Sequence, residues 1–340
     1  MCVVLLLSPE SAFSHPMESF PLDAYFYQWL DQNPEQKLII IGNCPLILPE
    51  KYSKKIVYYP VAQNPGTSLL SSFRYKWKVL LLLKKINPDR ILFDSILAFS
   101  FFSKKSLHSF LFQYFFRSHF LIFQQEASFP LPNQLKEDII HIPSLPSPVF
   151  QKNDEKINDR IKAELTSGSE YFLCTASFTN RDQLTVLLKA YSLFKQRFKT
   201  SFKLILSGLS NEDNHFFSLL KSYKYRQDVI LLSKHHTHSL ASVVSAAYAH
   251  IFSSSDAYYP CTVADCAMSR VPVIYPESVF GKPHITAGLS YSDGNVQDLA
   301  EKMMLLYKDE SICKQIIKNM QESFLSGKTG FDFSAYLQMP

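Results

Sequence analysis

Glycine and long apolar runs are scarce in this sequence. Only nine of its 340 residues are glycine, so glycine-rich loops that cradle phosphate groups are scarce. No apolar run approaches the length of a transmembrane helix, and the apolar stretch 1–7 is too short for a signal-peptide core and has no basic leader. These absences predict a cytoplasmic protein, with a peripheral contact to the inner face of the cell membrane as an open alternative.

Cysteine and charge exclude further classes of protein. The six cysteines are scattered, and no second pair or histidine completes a zinc site around the one close pair, Cys261 and Cys266. We therefore expect buried free thiols in a reducing compartment. A net charge of +5 is only mildly basic, so it does not indicate a nucleic-acid partner.

Short apolar runs alternate with helix-like segments through residues 1–150. The predicted strands are 2–7, 38–42, 56–60, 90–94, 120–123 and 139–143, and the predicted helices are 14–33, 68–86 and 106–117. Such alternation predicts a doubly wound α/β domain with a parallel sheet.

The composition changes at residues 151–169, which are polar and charged, and we predict a linker there. The alternation then resumes over residues 170–322. The predicted strands are 171–175, 202–208, 229–232, 251–252 and 271–275, and the predicted helices are 183–197, 211–223, 239–248, 262–269, 295–307 and 311–326. We therefore predict two Rossmann-like, doubly wound domains facing a cleft, which is the usual place for a ligand.

Residues 249–276 (AHIFSSSDAYYPCTVADCAMSRVPVIYP) read as strand, loop, helix and strand. The loop holds the serine cluster 253–255 and Asp256, and Thr262 stands at the start of the helix. Loops at strand ends and free N–H groups at helix starts bind phosphate groups, so we place a nucleotide diphosphate here. An ordinary βαβ unit with a polar loop is the alternative.

Several segments in register resemble the group 1, or family 4, retaining glycosyltransferases of the GT-B fold. The strand 171–176 is followed by Arg181 and by the LxxLLxA pattern of 184–190, as at the start of that family's second domain. Residues 265–274 (DCAMSRVPVI) resemble the family segment Glu-Ala-Met-Ala-x-Gly-x-Pro-Val-Ile. The likeness covers roughly residues 170–320, and over the first half it is only architectural.

The resemblance implies transfer of a sugar from a nucleotide-diphosphate donor to a glycan or lipid-linked acceptor, as a hexosyltransferase of polysaccharide or glycoconjugate synthesis. The acceptor would enter from the first domain, and the tail 323–340 would return to that domain. No metal or other cofactor is expected, because the protein supplies the positive charge. The donor-site residues implied in this way are Arg181 and Thr175 for the diphosphate, Ser254 and Thr262 beside it, Asp265 for the ribose, and Asp256 for the sugar.

The chain departs from the family at the positions of its catalytic residues. Of two family glutamates eight positions apart, the second corresponds to Asp265, whereas the first falls on Ala257, with Asp256 one residue away. Thr175 stands where a second basic residue is expected. A catalytically degenerate GT-B-like protein that binds a partner enzyme or glycan therefore stays a second hypothesis, and a nucleotide-sugar epimerase a third.

Two basic residues, Lys282 and Arg270, are candidates to replace the missing positive charge. The histidine cluster 235–238 could bind a metal, but no carboxylate or cysteine at matching spacing accompanies it, so an incidental cluster is favoured. Residues 326–329 (SGKT) resemble half of a phosphate-binding loop without its first glycine or its strand, and we discard that interpretation.

The segment 73–85 (FRYKWKVLLLLKK) mixes basic, aromatic and leucine residues. One interpretation is a helix that lies on an anionic membrane surface. The other, slightly favoured, is a core helix whose leucines pack on the sheet while its lysines reach the solvent.

Overall fold

The computed structural model describes residues 2–6, 23–42, 48–61, 69–93, 120–125, 139–142, 146–175, 181–207, 214–232, 239–252, 263–279 and 287–326. These residues divide into two compact units, one up to residue 142 and the other from residue 146 onward. Each unit holds a six-stranded sheet.

The first unit is built on a parallel sheet in the order β3-β2-β1-β4-β5-β6. Its strands are β1 (Cys2–Leu6), β2 (Lys37–Gly42), β3 (Ile56–Pro60), β4 (Arg90–Phe93), β5 (Phe120–Gln125) and β6 (Ile139–Ile142). Its described helices are α1 (Asp23–Gln32) and α2 (Leu69–Ile86). The predicted helix 106–117 and the start of the predicted helix 14–33 lie outside the described residues.

The second unit repeats this plan in the order β12-β11-β10-β7-β8-β9, again with parallel neighbours. Its strands are β7 (Tyr171–Thr175), β8 (Lys203–Ser207), β9 (Val229–Leu231), β10 (Ala249–Ile251), β11 (Val273–Pro276) and β12 (Leu289–Tyr291). Its described helices are α3 (Glu155–Thr166), α4 (Arg181–Phe198), α5 (Asn214–Lys221), α6 (Leu240–Ala246), α7 (Val263–Met268), α8 (Val296–Lys308) and α9 (Glu310–Ser326).

The central strands are buried on both faces, which explains why their sequences are apolar runs rather than alternating patterns. Val3, Val4 and Leu5 of β1 are fully buried, as are the first four residues of β7. Parallel strands covered by helices on both sides have this composition. The prediction of two doubly wound α/β domains is confirmed.

The second unit begins before the predicted linker. Phe150, which the sequence places in the first domain, is buried in the core of the second unit. The polar segment 151–169 forms helix α3, whose Ile161 is buried in the same core. Phe150, just before this segment, and Ile161 and Leu165 within it therefore attach the segment to the core of the second unit.

Strand β12 is the one element of the second sheet that the sequence analysis misses. It has only three residues and pairs with β11 through Leu289, Ser290 and Tyr291. The preceding Gly288 has a φ of +131°, and a Cβ there would lie 2.5 Å from Cε1 of Tyr275. This close approach needs glycine, so Gly288 brings the edge strand against β11.

Within the described residues, no helix has the length and apolar character needed to cross a membrane.

Candidate functional site

The order of strands reverses between β7 and β10 in the second sheet. From β7 the chain moves outward to β8 and β9, whereas β10, β11 and β12 build the sheet in the opposite direction. The carboxyl ends of two neighbouring parallel strands therefore diverge into loops that run to opposite sides. In doubly wound sheets, ligands bind in the crevice at this position.

A buried hydrogen bond joins the two strands at this point. Oγ1 of Thr175, the last residue of β7, lies 3.0 Å from Nε2 of His250 in β10. Both side chains are almost completely buried. The ring of His250 also packs on the ring of Phe252, with 4.3 Å between the ring centres. Thr175 and His250 thus hold together the strand ends from which both loops leave.

Burial keeps the His250 imidazole neutral. Loss of solvation lowers the pKa of His250 to about 3. Within the described residues, its Nδ1 atom has no hydrogen-bond partner. His250 is therefore a neutral imidazole, with one hydrogen-bond donor and one hydrogen-bond acceptor, below the crevice. Its protonation would place an uncompensated charge in the core.

Asp265 lies in the first turn of α7, the helix that follows the β10 loop. The residue is 4% exposed, and its Oδ1 accepts a hydrogen bond of 2.7 Å from the backbone N–H of Ser147. Ser147 lies in the segment that leads to α3, and Phe150 anchors that segment in the core. Asp265 therefore links α7 to the segment that begins the second unit.

Arg181 is the first residue of α4, the 18-residue helix that follows β7. Because α4 connects the carboxyl end of β7 to the start of β8, its first turn lies at the same edge of the sheet as Thr175. The positive end of the helix dipole is therefore at the candidate site, and Arg197 in the last turn is at the opposite edge.

The topology separates Arg270 from this edge. Helix α7 runs from the carboxyl end of β10 to the start of β11, and Arg270 follows its last turn with a φ of +57°. Its N–H donates to the Ala267 carbonyl and closes the helix. Arg270 therefore lies at the amino edge of the sheet, and the hypothesis that it replaces a phosphate-binding residue is wrong.

Several predicted residues lie outside the described part of the chain. They are Asp256, Ser254, Thr262, Lys282, the histidine cluster 235–238 and the tail beyond residue 326. Within the described residues, no three histidine, cysteine or carboxylate side chains come together as a metal site. The roles predicted for Arg181, Thr175 and Asp265 stay predictions, although the fold brings all three to one region of the second unit.

Two residues of this region, His250 and Ser147, were not predicted from the sequence. His250 interrupts an apolar strand, AHIF, which is the available sequence signal for a buried polar group. Ser147 donates its backbone N–H to Asp265, and because every residue except proline has such a group, no residue pattern could have indicated this contact.

Comparison with known proteins agrees with this arrangement. Residues 155–323, about half of the chain, match the family described as glycosyl transferases group 1. No curated protein has a detectable sequence match to the chain.

Three solved structures of low sequence identity share the fold over nearly the whole chain. WaaG, a glycosyltransferase involved in lipopolysaccharide biosynthesis, has a TM-score of 0.65 at 12% identity and covers 96% of both chains. HepE from Anabaena, in complex with UDP and glucose, has a TM-score of 0.64 at 11% identity and covers 99% of this chain and 97% of its own. Sucrose-phosphate synthase from Thermosynechococcus elongatus has a TM-score of 0.63 at 14% identity, with 99% and 96% covered.

The chain, with its two parallel-sheet units, thus has the GT-B fold. The family match falls on the second unit, where the strand order reverses between β7 and β10. Residues 155–323 belong to the group 1 glycosyl transferases, and the chain is a glycosyltransferase of the GT-B fold.

Proposed function

We propose that the protein transfers a hexosyl group from a nucleotide-diphosphate sugar to a glycan or lipid-linked acceptor, in the synthesis of cell-surface polysaccharide or glycoconjugate. The observation that carries this proposal is the position of Arg181, which opens an 18-residue helix where the strand order reverses in a group 1 domain. The similar fold of HepE, whose structure contains UDP and glucose, supports a uridine donor.

Arg181 and the first turn of α4 bind the diphosphate in this proposal. The leaving diphosphate gains negative charge as the bond to the sugar breaks, so a guanidinium and free backbone N–H groups stabilise the transition state more than the ground state. The protein supplies this positive charge itself, and the proposal includes no metal ion or other cofactor. Thr175, Ser254 and Thr262 complete the phosphate side of the site.

In this proposal Asp265 binds the ribose of the donor, and Asp256 binds the sugar that is transferred. A carboxylate accepts hydrogen bonds from two neighbouring hydroxyl groups, which suits Asp265 to the ribose. The Ser147 N–H bond to Oδ1 orients this carboxylate and keeps it from rotating. Asp256, in the loop after β10, contacts the transferred sugar in this proposal.

The acceptor binds on the first unit, and the protein works in the cytoplasm at the inner face of the cell membrane. The similar fold of WaaG, a protein of lipopolysaccharide biosynthesis, supports a lipid-linked acceptor. The basic and aromatic helix α2 supports the membrane position.

A thermal-shift titration with UDP, GDP, ADP and their sugar conjugates tests the donor site. A ligand that binds only the folded state stabilises it and therefore raises the melting temperature. At a ligand concentration of a hundred times the Kd, the gain in the free energy of unfolding is about 2.7 kcal/mol. We expect one nucleotide family to stabilise the protein. Arg181→Ala should weaken that binding about tenfold to a hundredfold, since hydrogen bonds to charged groups contribute about 1.5–3 kcal/mol.

The matched control is Arg197→Ala, which removes the same charge from the exposed last turn of the same helix. It should leave the affinity unchanged. Equal affinity of Arg181→Ala and the unmodified protein for every nucleotide would contradict the assignment of Arg181.

Product analysis with the stabilising nucleotide sugar separates the three hypotheses. Sugar transfer that requires an added glycan or lipid-linked acceptor supports the proposal. Nucleotide binding without turnover over a panel of acceptors supports a catalytically degenerate partner protein. An altered sugar in the absence of acceptor supports an epimerase.

A further inference from the structure

Helix α2 of the first unit has one buried face and one exposed face that is itself partly apolar. Tyr75, Val79 and Leu83 are buried, so this side of the helix packs in the core. On the other side, Trp77 is 41% exposed and Leu81 is 52% exposed. The interpretation of 73–85 as a core helix is therefore correct for one face and does not explain the other.

Basic side chains surround this exposed apolar pair. The exposed residues of the helix, which we term the α2 face, are Arg74, Trp77, Lys78, Leu81, Lys84 and Lys85. At about 100° per residue they occupy a sector of about 120° of the helix circumference. Leu81 lies at the middle of this sector, and Trp77 lies about 40° from it, between Leu81 and Lys84. None of the 18 residues of α2 is acidic, so no carboxylate on the helix offsets the positive charge.

We propose that the α2 face binds the surface of a bilayer that contains anionic lipids. An amphipathic aromatic side chain such as Trp77 favours the boundary between head groups and acyl chains, where Leu81 also becomes buried. The lysine and arginine stems are long enough to place their charges among lipid phosphates while the helix lies flat. The helix thus offers apolar insertion and electrostatic attraction together.

Charge and composition favour a lipid surface over a protein or nucleic-acid partner. Lysine is depleted at protein–protein interfaces, whereas three of the six residues of the α2 face are lysine. A nucleic-acid site would use the basic residues without needing Leu81, the most exposed of the large apolar side chains that the structure describes. This proposal deepens the membrane position given under the proposed function, and it does not depend on the donor chemistry proposed for the second unit.

Tryptophan fluorescence of the full chain measures insertion directly. The chain has two tryptophans, and Trp29 is only 2% exposed, so a change in emission on binding reports Trp77. We expect vesicles of phosphatidylcholine with phosphatidylglycerol to shift the emission to shorter wavelength, and brominated lipids to quench it. Vesicles of phosphatidylcholine alone should have a much smaller effect.

Two double variants test the two components of the α2 face in co-sedimentation with these vesicles. Lys78→Glu with Lys85→Glu should lower the partition coefficient more than tenfold, since each basic residue near an anionic surface contributes about fivefold. Trp77→Ala with Leu81→Ala should lower it about tenfold and remove the spectral shift. All four side chains are exposed, so both variants should keep the melting temperature of the unmodified protein.

Matched controls make the same changes on exposed residues of the second unit. Lys152→Glu with Lys156→Glu gives the same change in net charge, and Ile157→Ala with Leu305→Ala removes a comparable exposed apolar pair. Both controls should bind vesicles like the unmodified protein.

Three outcomes would overturn the proposal. They are equal partition onto neutral and anionic vesicles, an equal loss of binding in the control variants, and sedimentation without a change in Trp77 emission. The last result would indicate non-specific attraction of a basic protein to an anionic surface. Tighter binding to an oligonucleotide than to the vesicles, lost in Lys78→Glu with Lys85→Glu, would assign the face to nucleic acid instead.

Discussion

Lowering the pH from 7 to 5 should destabilise the second unit through a single buried residue, His250. Its imidazole lies between β7 and β10, is fully buried, and pairs with Thr175 as a neutral group. In the unfolded chain the same imidazole is solvated and titrates with a pKa of 6.5. In the folded protein, burial lowers the pKa to about 3.

The sign and size of the effect follow from these two values. Between pH 6.5 and 3 the unfolded chain binds a proton at this position that the folded protein does not bind, so stability falls as the pH falls. Each pH unit within this window contributes about 1.4 kcal/mol, which gives about 2 kcal/mol by pH 5. For a unit of this size that corresponds to a decrease in melting temperature of about 4–8 °C.

Urea denaturation at pH 7 and pH 5 measures the effect against two variants. His250→Leu with Thr175→Val replaces both hydrogen-bond partners with apolar groups and should lose this component of the pH dependence. Thr175→Val alone leaves a buried imidazole without its partner, which costs about 1–3 kcal/mol. That single variant should be less stable at both pH values and should retain the pH dependence.

The comparison is decisive because the other titrating groups are common to all three proteins. If the unmodified protein and the double variant lose the same stability between pH 7 and pH 5, His250 is not protonated on unfolding in the way that its burial predicts. The unfolding transition of the second unit is best followed by a probe placed in that unit, since the chain has two compact units.

Three further changes test the packing of the second unit by urea denaturation. Arg270→Gly should stabilise it by about 1 kcal/mol, because Arg270 holds a left-handed φ of +57°, and unchanged or lower stability would refute this reasoning. Gly288→Ala should destabilise it by about 2 kcal/mol or more, because the new Cβ would lie 2.5 Å from the Tyr275 ring, and an unchanged urea midpoint would contradict this. Lys195→Met should cost about 1–3 kcal/mol, because it leaves the Phe202 carbonyl without the buried Lys195 amine, whereas Asp228 loses its pair with Lys195 at 2.9 Å but keeps Lys203 at 2.6 Å; an unchanged urea midpoint would contradict this.

Much of the fold could be predicted from the sequence because its elements differ sharply in composition. Strand β1 is an uninterrupted apolar run, as a strand buried on both faces must be. Helix α4 repeats its apolar residues at helical spacing, with Leu184, Leu187 and Tyr191 all buried. In contrast, β12 has three residues and no such pattern, so its place beside β11 follows only from the pairing of the sheet.

The candidate site was predicted from a family resemblance rather than from composition. Arg181 and Asp265 were named because the segments around them resemble group 1 glycosyltransferases, and their roles stay predictions. Arg270 was misassigned because its charge is visible in the sequence, whereas its place at the far end of α7 depends on the direction of that helix between two parallel strands.

The amino-acid sequence alone determined the order and kind of the elements, and with them the two doubly wound units, because apolar periodicity reports local burial. Only the tertiary structure decided which distant residues meet. It pairs Thr175 with His250, attaches Ser147 to Asp265, and buries Phe150 in the second unit. Contacts of this kind join residues 75 or more positions apart, and strand order, rather than local pattern, brings them together.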